Sequence, residues 1–324
     1  MGNQQVAALC IASNRNFLGF ARHLRSTRLD FLPKALMEIP WKDSLIRQGL
    51  WRLGFERRIR KYCRKYDLLF CDWADFWTVK VSQLIDEVPI VVRLHAYEID
   101  RPDLLSEINW SNVRTLVTVS DYMKNLAMRS RHIACPRHVM IHNGIDLDKI
   151  PFRPSSTGML CTYSLFDQPQ KRVYDLMLAL RNEVLHIGGE GTIARALASA
   201  IKRFGLRHVL HGYAKIPDWL WDKEYFFMHS FDESCGVSLL EAMASGLLCL
   251  SHNYEASKEI LPKRYRYLYD DELLDLLAEF RALEDSERLQ VKKEQRRIVE
   301  TQYDVRDQAA RFDSIFMETA ERKL

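Results

Sequence analysis

The chain has 324 residues, of which 47% are hydrophobic and 28% are charged, and its net charge is +4. This composition excludes a disordered chain and predicts a globular protein, and the length favours two domains over a single core. The apolar runs are too short to cross a membrane, and the first of them, Val6–Ala12, lacks the basic segment that precedes a secretory signal. We therefore interpret it as a buried strand.

The cysteines indicate a compartment. There are seven of them, an odd number, and no two are spaced Cys-x-x-Cys. This usage favours a reducing environment over a secreted disulfide framework or a zinc site. We therefore expect a cytoplasmic protein.

The first half of the chain alternates short apolar runs with helical patterns. The predicted strands are Val6–Ile11, Leu68–Cys71, Ile90–Leu94, Thr115–Val119 and His138–Ile141, and the predicted helices are Leu18–Arg28, Val79–Asp86 and Asp121–Ser130. Ser120 precedes the last helix as its expected N-cap. Strands that alternate with helices predict a parallel sheet with βαβ crossovers.

A basic stretch, Arg47–Lys65, interrupts this alternation. It holds eight cations and a single acid, Glu56, interleaved with apolar residues such as Trp51 and Phe55. Such a helix can lie on an anionic membrane surface, but it can equally be a solvated basic face or attract an acidic acceptor. No zinc finger, RRM or helix-turn-helix signature accompanies the charge, so we expect no nucleic-acid partner.

Proline, serine and glycine cluster at residues 151–158 and predict a linker. The alternation then restarts, so we expect one α/β domain over residues 1–150 and a second over residues 151–304. The final stretch, about 305–324, has apolar residues at near-helical spacing and should pack back on the first domain. The predicted strands of the second half are Met159–Tyr163, Val184–Ile187, Val209–Leu210, Tyr225–His229 and Leu247–Leu250, and the predicted helices are Val173–Leu180, Ile193–Phe204, Val237–Ser245 and Asp271–Leu283.

The most informative segment is Phe231–Gly246. It holds two glutamates, Glu233 in a loop after a predicted strand and Glu241 near the start of a predicted helix. The positive end of that helix attracts phosphate, while a carboxylate accepts hydrogen bonds from a ribose diol or from sugar hydroxyls. Glutamates near a helix start can simply favour the dipole, but here glycine, helix and the ending Glu-Ala-Met-Ala-Ser-Gly follow in a fixed order. The segment therefore favours a nucleotide sugar as ligand.

This segment resembles the signature of the retaining GT-B glycosyltransferases of family 4, often called glycosyl transferases group 1. Other stretches agree with that family in order and spacing from about Ile90 to Gly246. They are Val91–Glu98, Val117–Ser120, Ile141–Asp146, Ser164–Lys171, Ile187–Gly191 and Leu210–Tyr213. The resemblance implies an α/β protein of the GT-B fold, with two doubly wound Rossmann-like domains facing a central cleft.

The resemblance also implies three catalytic residues. His95 would lie near the transferred sugar, on the side of the first domain. Lys171 would pair with the donor diphosphate, and Glu233 would hold sugar hydroxyls.

Further positions would bind the donor. The resemblance places Glu241 on the ribose and the Gly212-Tyr213 turn by the base. The backbone at Gly236, Val237 and Ser238 would contact phosphate or sugar.

The sequence departs from the family at two places. Leu165 stands where the family usually has an arginine that shares the leaving diphosphate with the lysine. Arg172, next to Lys171, is a candidate substitute for that arginine. The glycine-rich loop expected after the first strand is replaced by a segment containing Asn14, Arg15 and Asn16. These three could still donate hydrogen bonds on the acceptor or phosphate side.

Metal and dinucleotide sites find little support. Asp146-Leu147-Asp148 fits a metal-binding D-x-D string, but it follows the Ile141–Asp146 element, and GT-B enzymes of this kind generally need no bound metal. Gly188–Gly191 lacks the G-x-G-x-x-G fingerprint. We therefore expect no metal and no cofactor, only a nucleotide-sugar substrate whose base the sequence leaves open.

The resemblance thus predicts a retaining glycosyltransferase that passes a sugar to a glycan, a lipid-linked acceptor or another hydroxyl acceptor, in cell-envelope or polysaccharide biosynthesis. Such an enzyme would be cytoplasmic, with a peripheral position at the inner face of the membrane if the basic stretch binds lipid. Two alternatives remain open. One is a non-catalytic GT-B protein that binds a sugar or a partner, and the other is a GT-B sugar-nucleotide epimerase.

Overall fold

The computed structural model of the chain describes residues 5–12, 18–37, 54 and 56–321. These residues divide into two compact units. Unit 1 contains the described residues up to His142 and those from Arg306 onward, and unit 2 is Asn143–Val305.

Unit 1 is built on a parallel sheet of six strands in the order β2-β1-β3-β4-β5-β6. The strands are β1 Val6–Ala12, β2 Thr27–Phe31, β3 Leu68–Asp72, β4 Ile90–Leu94, β5 Val113–Thr118 and β6 His138–Met140. Its helices are α1 Lys34–Met37, α2 with described residues 56–63, α3 Phe76–Leu84, α4 Ala96–Ile99, α5 Pro102–Glu107 and α6 Asp121–Arg129. Ser120 caps α6 as predicted, since its hydroxyl accepts from the Met123 N–H at 3.2 Å.

One predicted helix of unit 1, Leu18–Arg28, is wrong. The chain instead forms a 3₁₀ turn at Gly19–His23 and then enters β2. The Asp313 carboxylate accepts from the backbone N–H groups of Arg25 and Ser26 at 2.6 and 3.2 Å, so a tertiary contact satisfies donors that a helix would use internally. Strand β2 then pairs in parallel with β1 at the edge of the sheet.

Unit 2 repeats the architecture with the strand order β12-β11-β10-β7-β8-β9. Its strands, which pair in parallel, are β7 Leu160–Tyr163, β8 Leu185–Gly188, β9 Val209–Gly212, β10 Tyr225–Met228, β11 Leu248–His252 and β12 Arg266–Tyr267. Its helices are α7 Val173–Ala179, α8 Ala194–Arg203, α9 Val237–Ser245, α10 Ser257–Ile260, α11 Asp270–Ala282 and α12 Asp285–Gln302. The prediction of an α/β protein with two doubly wound sheets is confirmed.

The sequence patterns gave no expectation of α12, because its buried side is polar. Lys292 is buried and donates to the Glu224 carboxylate and to the Ser155 carbonyl at 2.7 and 2.6 Å. The Gln295 amide is also buried, accepts from the Cys249 N–H at 2.8 Å and donates to the Cys249 carbonyl at 2.9 Å. Specific hydrogen bonds rather than an apolar stripe therefore attach this helix to its sheet.

The last helix, α13 Val305–Glu321, belongs almost entirely to unit 1. Phe312 stacks on Phe20 at 4.3 Å between ring centroids and meets Phe70 edge-on at 5.4 Å. The helix thus completes the core beside β3. None of the helices in the described part of the chain is long and apolar enough to cross a membrane.

Candidate functional site

The order of strands in unit 2 brings two loops together. The chain runs outward from β7 through β8 to β9 and then returns to β10, on the other side of β7. Ligands of open α/β sheets bind outside the carboxyl ends of the strands at such a reversal. The loops that follow β7 and β10 are joined here by the Phe231 N–H, which donates to the Gln170 carbonyl at 3.0 Å.

Lys171 and Glu233 meet at this position. Their side chains form an ion pair, and both are mostly buried, at 14% and 13% exposure. The Ser230 hydroxyl donates to the carboxylate oxygen of Glu233 that pairs with Lys171, at 2.8 Å, and this hydrogen bond helps to fix the carboxylate. Ser230 was not predicted, although a hydroxyl residue three positions before a loop glutamate was a possible signal. The pair places a cation and an acceptor side by side, as a sugar diphosphate requires.

Helix α9 begins beside this pair. Its N-cap is Gly236 at φ 60°, a residue that has no side chain of its own to cap the helix start. A Cβ at Gly236 would lie 2.6 Å from the Tyr254 hydroxyl, so both the backbone angle and the space call for glycine. The N–H groups of Gly236, Val237 and Ser238 lie at the start of this nine-residue helix. The helix dipole would stabilise a phosphate bound at that position.

Glu241 lies in the second turn of α9. It is half-buried, and in the described part of the chain no hydrogen bond or ion pair joins its carboxyl group to another residue. Burial raises its pKa to about 7. The pKa of Tyr163 is raised by burial and further by Glu241 and Tyr213, so these side chains share one region at the ends of β7 and β9. Tyr213 is 70% exposed and follows Gly212, which ends β9 at φ 67°.

The predicted second cation, Arg172, forms an ion pair within its own helix. Arg172 adopts a left-handed backbone conformation at φ 49° and pairs through Nε with Asp175 at 2.8 Å, within the first turn of α7. Leu165 is 59% exposed in the loop after β7. Lys171 is therefore the cation that faces Glu233, while Arg172 is held by its own helix.

In unit 1, His95 follows β4 and caps α4, where it forms a capping box with Glu98. The Glu98 carboxylate accepts from the N–H groups of His95 and Ala74 at 3.0 and 3.1 Å. Burial raises the pKa of Glu98 to about 8, against the effect of these two donors.

His95 also contacts two residues at the end of β3. Its Nε2 lies 3.3 Å from Oδ1 of Asp72, and its ring stacks on Trp73 with centroids 4.2 Å apart. Trp73 has φ 102°, a strained angle for a non-glycine residue that costs on the order of 1–3 kcal/mol. Asp72 and Trp73 were not predicted, although a polar residue that ends the apolar run of β3 was an available signal.

Two sequence predictions lie partly or wholly outside the described residues. Asn14, Arg15 and Asn16 are not described, nor are positions 47–53 and 55 of the basic stretch. In the remaining part, α2 buries Ile59 and Cys63. The cations of α2 and of the following turn that point to solvent are Arg57, Arg58, Lys61, Arg64 and Lys65.

The candidate metal string shows ordinary local contacts. Asp146 lies 3.5 Å from the Lys149 ammonium, and its backbone carbonyl accepts from the Lys149 N–H at 3.0 Å. Among the described residues, no three His, Cys, Asp or Glu side chains are arranged to hold a metal ion.

Comparison with known proteins connects this geometry to a family. Residues 166–282, which lie within unit 2 and make up roughly a third of the chain, match the profile of the family described as Glycosyl transferases group 1. That part of unit 2 is therefore similar to this family. Among curated proteins, no sequence matches the chain.

Solved structures are similar over nearly the whole chain. HepE from Anabaena in complex with UDP and glucose has a TM-score of 0.76 at 14% identity, covering 97% of this chain and 100% of that one. A glycosyltransferase from Rickettsia africae has a TM-score of 0.74 at 14% identity, covering 99% and 100%. Sucrose-phosphate synthase from Thermosynechococcus elongatus has a TM-score of 0.73 at 13% identity, covering 97% and 98%. At identities this low, the structural similarity establishes the fold and nothing more. The predicted GT-B fold is confirmed.

Proposed function

We propose that this protein of the GT-B fold, whose second unit matches the group 1 glycosyltransferases, transfers a sugar from a nucleotide-sugar donor to a hydroxyl acceptor with retention of anomeric configuration. The observation that carries the proposal is the Lys171–Glu233 pair beside the start of α9 at Gly236, at the strand reversal of unit 2. A sugar diphosphate needs a cation and helix N–H groups for its phosphates. It also needs a carboxylate that accepts hydrogen bonds from the sugar hydroxyls.

The donor would be held group by group. Lys171 and the N–H groups at Gly236, Val237 and Ser238 bind the diphosphate, and Glu233 accepts hydrogen bonds from hydroxyls of the transferred sugar. Glu241 accepts from the ribose diol. The turn at Gly212 and Tyr213 adjoins the base, with Tyr163 nearby. The base itself is left open, although similar structures were solved with UDP and with UDP-glucose.

In the mechanism that these groups support, the bond between the sugar and the phosphate breaks toward an oxocarbenium-like state. The departing phosphate takes the proton of the acceptor hydroxyl, and the new glycosidic bond forms on the same face of the sugar. The protein contributes placement and charge stabilisation, chiefly from Lys171 and the dipole of α9. No step requires a metal ion or a cofactor. His95 would contact the transferred sugar.

The acceptor is proposed to be a glycan or a lipid-linked saccharide of envelope or polysaccharide biosynthesis, met at the cytoplasmic face of an anionic membrane. The exposed cations of α2 support this location. Because Ile59 and Cys63 of α2 are buried, the described part of the basic stretch would attract lipid through charge alone.

A second candidate is a GT-B protein that binds a donor without turning it over. The orientation of Arg172 toward Asp175, together with the exposed Leu165, favours this alternative, because it leaves Lys171 to neutralise the leaving diphosphate without a second side-chain cation from this loop.

One panel of assays separates these functions. UDP-, GDP- and ADP-sugars are incubated with the protein, and release of the nucleoside diphosphate is measured alongside donor binding. Release from one donor, with a product of retained anomeric configuration by proton NMR, supports the transferase. Binding without release supports the non-catalytic protein, and the absence of both overturns the donor site.

A further inference from the structure

A buried ion pair contacts His95 in unit 1. Asp72 ends β3 and is paired in register with Arg93 of β4, and both side chains are fully buried. The Arg93 Nε donates to Oδ1 of Asp72 at 2.5 Å. Its guanidinium lies over the rings of Phe20, Phe70 and Phe312 at 5.4 to 5.8 Å from their centroids. Arg93 is thus enclosed by aromatic side chains and forms an ion pair with Asp72.

Such a pair is poorly explained by stability alone. Moving two charges into a core costs desolvation that their attraction often fails to recover. The carboxylate oxygen that Arg93 contacts is also the one that lies 3.3 Å from Nε2 of His95. Asp72 therefore connects a buried cation to the imidazole of His95, which follows β4.

The charges of the cluster determine the state of that imidazole. Burial alone would raise the pKa of Asp72, but Arg93 and His95 outweigh it and lower the pKa to about 2. Burial lowers the pKa of His95, and Arg93 lowers it further, against the opposing effect of Asp72. An ionised carboxylate beside a neutral imidazole can only accept, so the proton must lie on Nε2.

Two further residues, Trp73 and Glu98, hold His95 in place. Trp73 stacks on its face, and Glu98 ties the backbone of His95 to that of Ala74, which follows β3. Arg93 keeps Asp72 from drawing His95 into the imidazolium form, because it already neutralises the carboxylate. The ring is consequently fixed in position, protonation state and tautomer.

We propose that Asp72, held by Arg93, is a positioning residue that fixes His95 as the neutral, Nε2-protonated imidazole at the carboxyl edge of the unit 1 sheet. The proposal rests on the proposed function for the assumption that His95 contacts the transferred sugar. The state of the His95 ring itself can be tested without any turnover.

The first experiment is nitrogen-15 NMR of the histidine rings of the full chain, with the His95 signals assigned by their loss in His95→Gln. The expected result is a neutral ring with the proton on Nε2, whose pKa lies below the ordinary value of a histidine. A ring that titrates near its ordinary pKa, or that carries its proton on Nδ1, overturns the proposal, whatever the protein does with nucleotide sugars.

The second experiment is a double-mutant cycle of Asp72→Asn and His95→Ala, with release of UDP from UDP-glucose as the readout and UDP affinity and thermal unfolding as controls. Asp72→Asn should lower kcat by a factor on the order of 100 while UDP affinity is unchanged. In the His95→Ala background it should lower kcat no further, since it acts through His95.

Conservative replacement gives a third outcome. Gln at position 95 can present an N–H donor to Asp72 near the place of Nε2, whereas Asn is shorter. His95→Gln should therefore retain more activity than His95→Asn. Fully additive effects in the cycle, or a loss of thermal stability with unchanged kcat in Asp72→Asn, would reduce Asp72 to a structural residue. Absence of UDP release by the wild type would count against the proposed function, and the NMR result would then decide the positioning proposal.

Discussion

The Lys171 ammonium pairs with the Glu233 carboxylate across the loops that follow β7 and β10, 62 positions apart in the chain. Each side chain is the counter-ion of the other, so a change at one alters the charge that the other presents. The pair exists because β7 and β10 are neighbours in the sheet while their order in the chain is not consecutive.

The first prediction concerns Lys171. Lys171→Ala removes the cation proposed for the diphosphate and leaves the Glu233 carboxylate uncompensated, so UDP affinity should fall by about 1.5–3 kcal/mol, the value of a charge-assisted hydrogen bond. Titration calorimetry with UDP measures this loss. Arg172→Ala is the matched control, and its loss should be smaller because Arg172 pairs with Asp175. A larger loss for Arg172→Ala than for Lys171→Ala would show that Arg172, and not Lys171, binds the diphosphate.

The second prediction concerns Glu241 and pH. Its pKa is raised by burial to about 7, and an ionised carboxylate is the better acceptor for a ribose diol. UDP affinity should therefore rise between pH 6 and 8 about tenfold more steeply in the wild type than in Glu241→Gln, which keeps only the contribution from ionisation of the terminal phosphate of UDP. An unchanged pH profile in Glu241→Gln would place the ribose elsewhere.

The same residue predicts a change of stability in the opposite direction. A carboxyl group whose folded pKa lies above its usual value of 4.5 stabilises the fold fully below that value and loses the contribution as pH rises through 7. Glu241→Gln should therefore melt at a higher temperature than the wild type at pH 8, although it binds UDP more weakly. Equal melting temperatures at pH 8 would contradict this assignment of the pKa.

The third prediction compares two glycines with nearly the same backbone. Gly236 has φ 60° and would place a Cβ 2.6 Å from the Tyr254 hydroxyl, whereas Gly205 has φ 62° and open space. Alanine at either position should cost about 1–2 kcal/mol for the left-handed conformation. Only Gly236→Ala should cost more and also weaken UDP binding, because it displaces the start of α9. Thermal unfolding and UDP titration of both variants check this, and equal UDP affinities would exclude the α9 amides from the donor site.

How far the sequence predicted these features depends on the range of the contacts. The spacing of Glu233 and Glu241 correctly indicated a loop after a strand and a position on α9, because a turn and a helix start are local. The approach of Lys171 to Glu233 required the sheet order, which sequence spacing does not contain. The same holds for Asp72, whose partner Arg93 is set by the register of β3 against β4.

Some elements escaped prediction for a different reason. Helix α12 buries Lys292 and Gln295, so the apolar periodicity that normally identifies a packed helix is weak there. The predicted helix Leu18–Arg28 failed because a contact with Asp313, nearly three hundred positions away, holds the backbone just before β2.

The fourth prediction concerns the basic stretch. Four engaged cations at about 1 kcal/mol each would hold the protein reversibly on vesicles that contain phosphatidylserine, and 1 M salt, with a Debye length of about 3 Å, should release it. Arg57→Glu with Lys61→Glu should abolish co-sedimentation. Lys202→Glu with Arg203→Glu, on the exposed side of α8, changes the net charge equally and should not. No binding to vesicles at low salt, or an equal loss of co-sedimentation in the control variant, would contradict the proposed membrane location.

The most direct test of the donor site is the rate of nucleoside diphosphate release from the preferred nucleotide sugar by the wild type and by Glu233→Gln. Glu233→Gln keeps the size of the side chain but removes the charge that pairs with Lys171 and accepts from the sugar. The wild type should release the nucleoside diphosphate, and the variant should lose a factor on the order of 100 or more in rate while it still binds UDP. Equal rates in the two proteins would contradict the account, because the Lys171–Glu233 pair would then lie outside the chemistry.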